Sequence, residues 1–210
     1  MVGTYGLSEG AGSVCSHKIS DPRDIRHGRL GGPLPGQEVR ITHPETGQDV
    51  APLEQGEILV RGPNVLKGYY KDPVKTAEAI DSDGWLHTGD TGSLDADNQI
   101  MFHGRIKDML KVGGENVAAV EIESLLQEHD AVKLAQIVSA PHERLVEVPA
   151  AFIELEDGAS ATEEELIAFC KGKISSFKIP RYVRFVNEWP MSTSKIQKYK
   201  LRDQIAAEIA

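Results

Sequence analysis

The chain has 210 residues, 40% of them hydrophobic and 26% charged, with 23 Lys and Arg against 32 Asp and Glu. That composition excludes collagen-like, low-complexity and largely disordered classes, and the length suffices for one large domain or two small ones. The net charge of −9 argues against nucleic acid as the main partner. No apolar run approaches the roughly 20 residues of a transmembrane segment, and the start, Met1 to Gly6, lacks the regions of a signal peptide. Cys15 and Cys170 lie far apart with no metal or disulfide spacing, so a reducing cytoplasm is the expected compartment. The charge is uneven: residues 171–202 carry 9 Lys and Arg against 1 acid. Such a run could offer cations to a phosphorylated small molecule, although on charge alone a solvated helix and loop surface is the commoner case.

The first half reads as short strands punctuated by Gly and Pro. Gln37 to Ile41 and Glu57 to Arg61 alternate with period two, as half-buried strands do, with a turn at Pro44 to Gln48. Asp72 and Pro73 open a short helix through Ile80, Asp72 as N-cap and Pro73 at the first helical position. Asp95 to Asn98 is another turn. The second half changes character. Ala119 to Leu126 has helical spacing, Val132 to Ala140 and Pro149 to Leu155 read as strands, and Thr162 with Glu165 has capping-box spacing for a helix to about Ile174. Tyr182 to Val186 is a further strand and Lys198 to Ala210 a terminal helix. The expected boundary lies at Gly104-Arg105, giving a β-rich part over residues 1–104 and an α+β part over residues 105–210.

Several polar clusters could carry chemistry. Tyr5-Gly6-Leu7-Ser8-Glu9 puts a ring, a hydroxyl and a carboxylate on one expected tight turn: a stacking face, a phosphate donor and an oxygen ligand for Mg²⁺. Alone, it also fits a loop with an incidental Glu. His87-Thr88-Gly89-Asp90 is expected to present Asp90 from a loop, where a carboxylate can accept both hydroxyls of a ribose; an Asp after Gly is more often a plain turn residue. Gly104-Arg105-Ile106-Lys107-Asp108 joins a flexible residue to three charges, and Lys111-Val112-Gly113-Gly114 follows with a turn that lets a ligand approach the backbone. Pro190 to Lys195 is a hydroxyl-rich loop with one lysine, a mobile point charge suited to phosphate or a developing oxyanion.

In order, Tyr5 to Glu9, Gly56 to Gly62 with Gly68-Tyr69-Tyr70, Trp85 to Asp90, Gly104 to Asp108 and Ser194 to Lys198 resemble the later signature motifs of the adenylate-forming (AMP-binding) superfamily. Gly113 to Val117 and the overall wording are most similar to an acyl-CoA synthetase. The resemblance covers essentially the whole chain. It implies the β-rich end of a large adenylation domain followed by a small, mobile α+β C-terminal domain. Tyr5 would stack on adenine, Ser8 would touch phosphate, Glu9 would coordinate Mg²⁺, and Asp90 and Arg105 would bind the ribose. Lys107 matches the hinge, Lys195 the catalytic lysine of adenylation, and Lys111 a lysine of the second half-reaction. Gly113 and Gly114 would lie in the loop that enters the site during thioester formation. The implied chemistry joins a carboxylic acid to ATP, giving acyl-AMP, and then to CoA. The alternative is a non-catalytic nucleotide- or partner-binding module that keeps the fold.

The sequence departs from the family pattern at four points. Ser194 stands where a glycine usually precedes the catalytic lysine, and the spacing from Pro190 to Lys195 is one residue short. Ser8 replaces a more frequent Thr, and Val146 stands where glycine is common. The family's earlier phosphate loop is absent, which implies the C-terminal part of a longer synthetase, weak or inactive alone, whose partner is the missing N-terminal part. The resemblance allows a homodimer and leaves the acid open among fatty, aryl and alicyclic acids.

Overall fold

The structure is a computed structural model and describes residues 2–193 and 195–209. It divides into two units, one running to Lys107 and the other from Asp108.

The first unit is built from two antiparallel sheets. The smaller has order β1 (Thr4–Leu7), β2 (Gly12–Ser16), β3 (Gly32–Pro33); the larger has order β4 (Glu38–Thr42), β5 (Gly56–Arg61), β6 (Leu86–Leu94), β7 (Ile100–Arg105). Tyr5, Val14 and Cys15 of the small sheet share a core with Ile41, Ile58, Val60 and Ile100 of the large one. Backbone bonds from Leu30 N to Ile100 O (2.8 Å) and from Ile100 N to Gly31 O (3.0 Å) tie the two sheets together. The β1–β2 pair demands glycine at position 6, since a Cβ there would stand 1.8 Å from the Gly12 carbonyl oxygen. Two short helices, α1 (Arg23–Gly28) and α2 (Pro73–Ala79), cross the connections. The α2 start is as the sequence implies: Asp72 Oδ1 accepts from Lys75 N at 3.0 Å and Pro73 occupies the first turn.

The second unit is a mixed sheet with helices on both faces. Its order is β10 (Val132–His142), β11 (Val146–Leu155), β8 (Met109–Val112), β9 (Glu115–Ala118), with β12 (Tyr182–Phe185) parallel to β11. Along β10 and β11 alternate residues face opposite cores. Ala135, Ile137, Ala151 and Ile153 pack with α3 (Ala119–Leu126) and α4 (Glu163–Cys170). Val138, Ala140, Val148 and Phe152 pack with Leu201 and Ile205 of α5 (Lys198–Ile209). A strand covered on both faces reads as a nearly continuous apolar run, which is how residues 148–153 look. The α4 capping box is formed, Glu165 N donating to Thr162 Oγ1 (3.2 Å) and Thr162 N to Glu165 Oε2 (2.8 Å).

Three expected local features differ in the structure. The helix from Thr162 ends at Cys170 rather than near Ile174, because the chain turns through Gly172 at φ +78° and Lys173 N and Ile174 N both fold back on Cys170 O. The units part between Lys107 and Asp108, since Arg105 still belongs to β7, paired with Asp90. β11 begins at Val146, three positions before Pro149, which sits inside the strand with its carbonyl accepting from Arg181 N at 2.8 Å. No helix among the described residues is long and apolar enough to cross a membrane.

Candidate functional site

Asp90 is the focus of the first unit. It lies within β6, not on a loop as expected, and is 5% exposed. The reason is an irregularity in the sheet: His87 pairs with Leu59 and Thr91 with Glu57, so Thr88, Gly89 and Asp90 bulge opposite Ile58 alone. The Tyr5 hydroxyl donates to Asp90 Oδ2 at 2.9 Å, and Arg105 Nε stands 3.1 Å from Oδ1 across the β6–β7 pair. That ion pair lacks hydrogen-bond alignment, so Oδ1 is a buried carboxylate oxygen with no hydrogen bond among the described residues. Burial raises the Asp90 carboxyl above its ordinary range, against the opposing pull of the Tyr5 hydroxyl and the Arg105 guanidinium. Burial likewise pushes the Tyr5 phenol far up. The tyrosine is in β1 rather than on a turn, 5% exposed, with Phe102 tilted against it at 6.2 Å between ring centroids. Arg105 keeps 44% of its side chain exposed and is the one solvent-facing member of the trio.

Ser8 and Glu9 follow β1 in a single 3-10 turn, Ser8–Gly10. The turn is tied to the segment after β5: Leu66 N donates to Glu9 O at 2.8 Å and Asn64 Nδ2 to Gly10 O at 2.7 Å. Tyr69 Oη donates to Glu9 Oε1 at 3.1 Å, and desolvation with the neighbouring carboxylate raises the Tyr69 phenol. Ser8 is exposed and Glu9 half-buried, its Oε2 free of protein partners among the described residues. Groups of three or more His, Cys, Asp or Glu able to hold a metal are absent among the described residues. A single carboxylate with a free oxygen fits Mg²⁺, which keeps water and is commonly completed by substrate phosphates.

In the second unit, Lys111 is exposed on β8, and Gly113 and Gly114 form the two-residue turn to β9 at φ +60° and +94°. Positive φ at both positions is what a tight hairpin of this twist requires. The turn is anchored from β11 and the residue before it: Lys111 N donates to Glu147 Oε2 and Gly113 N to Leu145 O, each at 2.8 Å. Val146 beside them adopts φ +69°, a left-handed conformation that explains why glycine is the common residue there. Lys107 is exposed in the 3-10 turn Ile106–Asp108, the last residue of the first unit. Lys195 is exposed in a loop closed by Gln197 N to Pro190 O and Ser192 N to Lys195 O, both 2.8 Å. Ser194 lies outside the described residues.

Much of the basic run is spent on structure. Lys178 pairs with Glu121, Arg184 with Glu208 and Lys198 with the buried Glu123, at 2.7, 2.6 and 2.6 Å, while Lys173 lies over the Phe169 ring. Sequence reasoning missed Glu57, Tyr69 and Glu147 as supports of the site residues. The available signals were the places of Glu57 and Tyr69 within the motifs, and at Glu57 an acid directly before the apolar Ile58-Leu59-Val60 of its strand.

The family model of AMP-binding enzymes matches residues 1–70, and that of the AMP-binding enzyme C-terminal domain matches residues 121–195. The chain belongs to the adenylate-forming, AMP-binding superfamily. A putative acyl-CoA synthetase, YngI, of Bacillus subtilis is 46% identical over 201 residues, 95% of this chain and 37% of that protein. The mitochondrial medium-chain acyl-CoA ligase ACSF2 of Rattus norvegicus is 40% identical over 206 residues, 98% of this chain and 34% of its own length. Among solved structures, ATP-bound MatB from Rhodopseudomonas palustris superposes with a TM-score of 0.91 at 33% identity, over 100% of this chain and 41% of that one. The chain thus spans roughly a third of the length of the curated relatives it matches, and it is closely related to acyl-CoA and acyl-adenylate ligases.

Proposed function

We propose that this chain provides the C-terminal portion of an ATP-dependent acyl-CoA synthetase. In the first half-reaction a carboxylate oxygen of the acid attacks the α-phosphorus of ATP and pyrophosphate leaves. In the second, the CoA thiolate attacks the acyl carbonyl and AMP leaves. Both steps build negative charge on oxygen, so the protein's task is electrostatic and positional rather than covalent. The observation that carries the nucleotide part is Asp90: a buried carboxylate oxygen without a hydrogen bond among the described residues, flanked by a solvent-facing arginine. When Arg105 turns toward the ribose, Oδ1 is uncovered to accept from its hydroxyls, while Tyr5 holds Oδ2. Tyr5 stacks on the adenine with what little of its ring is exposed, and fixing Asp90 is its second task.

Ser8 donates to a phosphate oxygen, and Glu9 Oε2 would hold Mg²⁺, which when bound would neutralise charge on the phosphates of ATP and the leaving pyrophosphate. Lys195 donates to the carboxylate and phosphate oxygens during adenylation; its loop is closed by backbone bonds, and the ammonium has no partner among the described residues. Rotation about Lys107 exchanges Lys195 for Lys111 and the Gly113-Gly114 turn, whose bare backbone lets the thioester-forming reactants approach. The residues that shape the acyl pocket and the phosphate loop belong to the preceding segment of the synthetase. Cys15 and Cys170 are free and buried, the Cys15 thiol pushed up to about 12 by desolvation, which fits a reducing compartment such as the cytoplasm. Calorimetry with a non-hydrolysable acyl-adenylate analogue tests the site itself. The chain should bind the analogue and Asp90→Ala should weaken it by about tenfold or more; no affinity, or equal affinity in the variant, contradicts the assignment.

A further inference from the structure

The bulge that carries Asp90 is framed by hydrogen bonds that replace the missing ladder. Three consecutive residues of β6 face one residue of β5, leaving backbone groups that the partner strand cannot satisfy. Gly89 N donates instead to Glu57 Oε1 at 3.1 Å, Asp90 N to Thr88 Oγ1 at 3.1 Å, and Thr88 Oγ1 to Ile58 O at 2.7 Å. The other oxygen of Glu57 accepts from His87 Nδ1 at 2.9 Å. Glu57 is 8% exposed, an acid buried beside a buried Asp90, and its charge raises the Asp90 carboxyl further. An apolar residue at 57 would avoid that cost but would strand the Gly89 N–H.

We propose that Glu57 is a positioning residue for ribose recognition: its carboxylate grips Gly89 and His87 and so fixes the bulge that aims Asp90 between Tyr5 and Arg105. The inference rests on the reading of Asp90 as the ribose ligand. Gly89 sits at φ +68°, so the bulge has its own local conformation to be held. Glutamine can reproduce the frame, its oxygen accepting from Gly89 N and its amide donating to a neutral His87. Alanine can do neither.

The test compares binding of ATP and 2′,3′-dideoxy-ATP to the 210-residue chain, with amide hydrogen exchange at Gly89 followed in the same samples. The unaltered chain and Glu57→Gln should prefer ATP by about tenfold and protect Gly89. Glu57→Ala should bring the preference close to one and speed Gly89 exchange by about tenfold or more. Loss of general stability lowers both affinities and leaves their ratio unmoved, so the ratio separates positioning from mere support. Thr88→Val, which keeps the volume but removes the bracket on Asp90 N, should lower the ratio too and decides the matter should Glu57→Ala not fold. A ratio lost in Asp90→Ala but kept in Glu57→Ala, or lost in Glu57→Gln as fully as in Glu57→Ala, overturns the inference alone. A ratio kept in Asp90→Ala, or no ATP binding by the unaltered chain, brings down the ribose reading beneath it.

Discussion

At the scale of single residues, Asp90 and Val146 each hold a conformation or charge that the fold alone does not favour. Asp90 has a carboxyl raised above its ordinary 3.8, so the folded state retains a proton that the unfolded chain has released. Its contribution to stability is therefore full below about pH 3.8 and is lost as the pH rises through the higher folded value. Asp90→Asn removes that dependence. Urea unfolding of both proteins between about pH 3 and about pH 7 should show the variant gaining on the parent as the pH rises, then a plateau. A difference that stays flat would mean that burial does not raise the carboxyl. Val146 places a β-branched side chain at φ +69° while 70% exposed, so it gains little from burial. Val146→Gly should stabilise the chain by about 1 kcal/mol, seen as a raised Tm, because the relief of left-handed strain exceeds the entropy cost of glycine. An unchanged or lower Tm would show that the strain is relaxed elsewhere. The identity of Asp90 was legible from its motif; its burial was not, because Gly before Asp reads as a turn until the partner strand is known.

At the scale of elements, what was legible was local and what was hidden was paired. The Asp72-Pro73 start of α2 and the Thr162–Glu165 box of α4 are written within four residues of sequence, and both are formed. The β6 bulge depends on the register between β5 and β6, whose paired residues lie about thirty positions apart in the chain, so period-two alternation could not reveal it. The basic run shows the same limit. Lys198 of α5 looks like any surface lysine in sequence, yet it pairs at 2.6 Å with Glu123 of α3, whose Oε1 also accepts from Ile137 N at 2.8 Å. Lys198→Met should destabilise the chain by about 2–3 kcal/mol by leaving Glu123 inside without its cation. Lys200→Met, exposed on the same helix, should change it by less than about 0.5 kcal/mol. Equal effects in denaturant unfolding would return Lys198 to the class of solvated charges.

At the scale of the whole molecule, the chain covers 95–98% of itself but only 34–37% of its curated relatives in those alignments. The family was readable because five motifs occur in order across both units. The acid was not, because substrate choice is a property of the pocket as a whole rather than of any motif present here. If these residues work in acid activation, carboxylate-dependent ATP–pyrophosphate exchange is the reaction in which they act. The 210 residues should be joined to the preceding segment of the Bacillus subtilis relative, in place of its own matching third, and supplied with a range of carboxylic acids. Exchange should depend on the acid and fall by about 100-fold or more in Lys195→Ala. Exchange that is absent with every acid from a folded chimera, or unchanged by Lys195→Ala, would contradict that role.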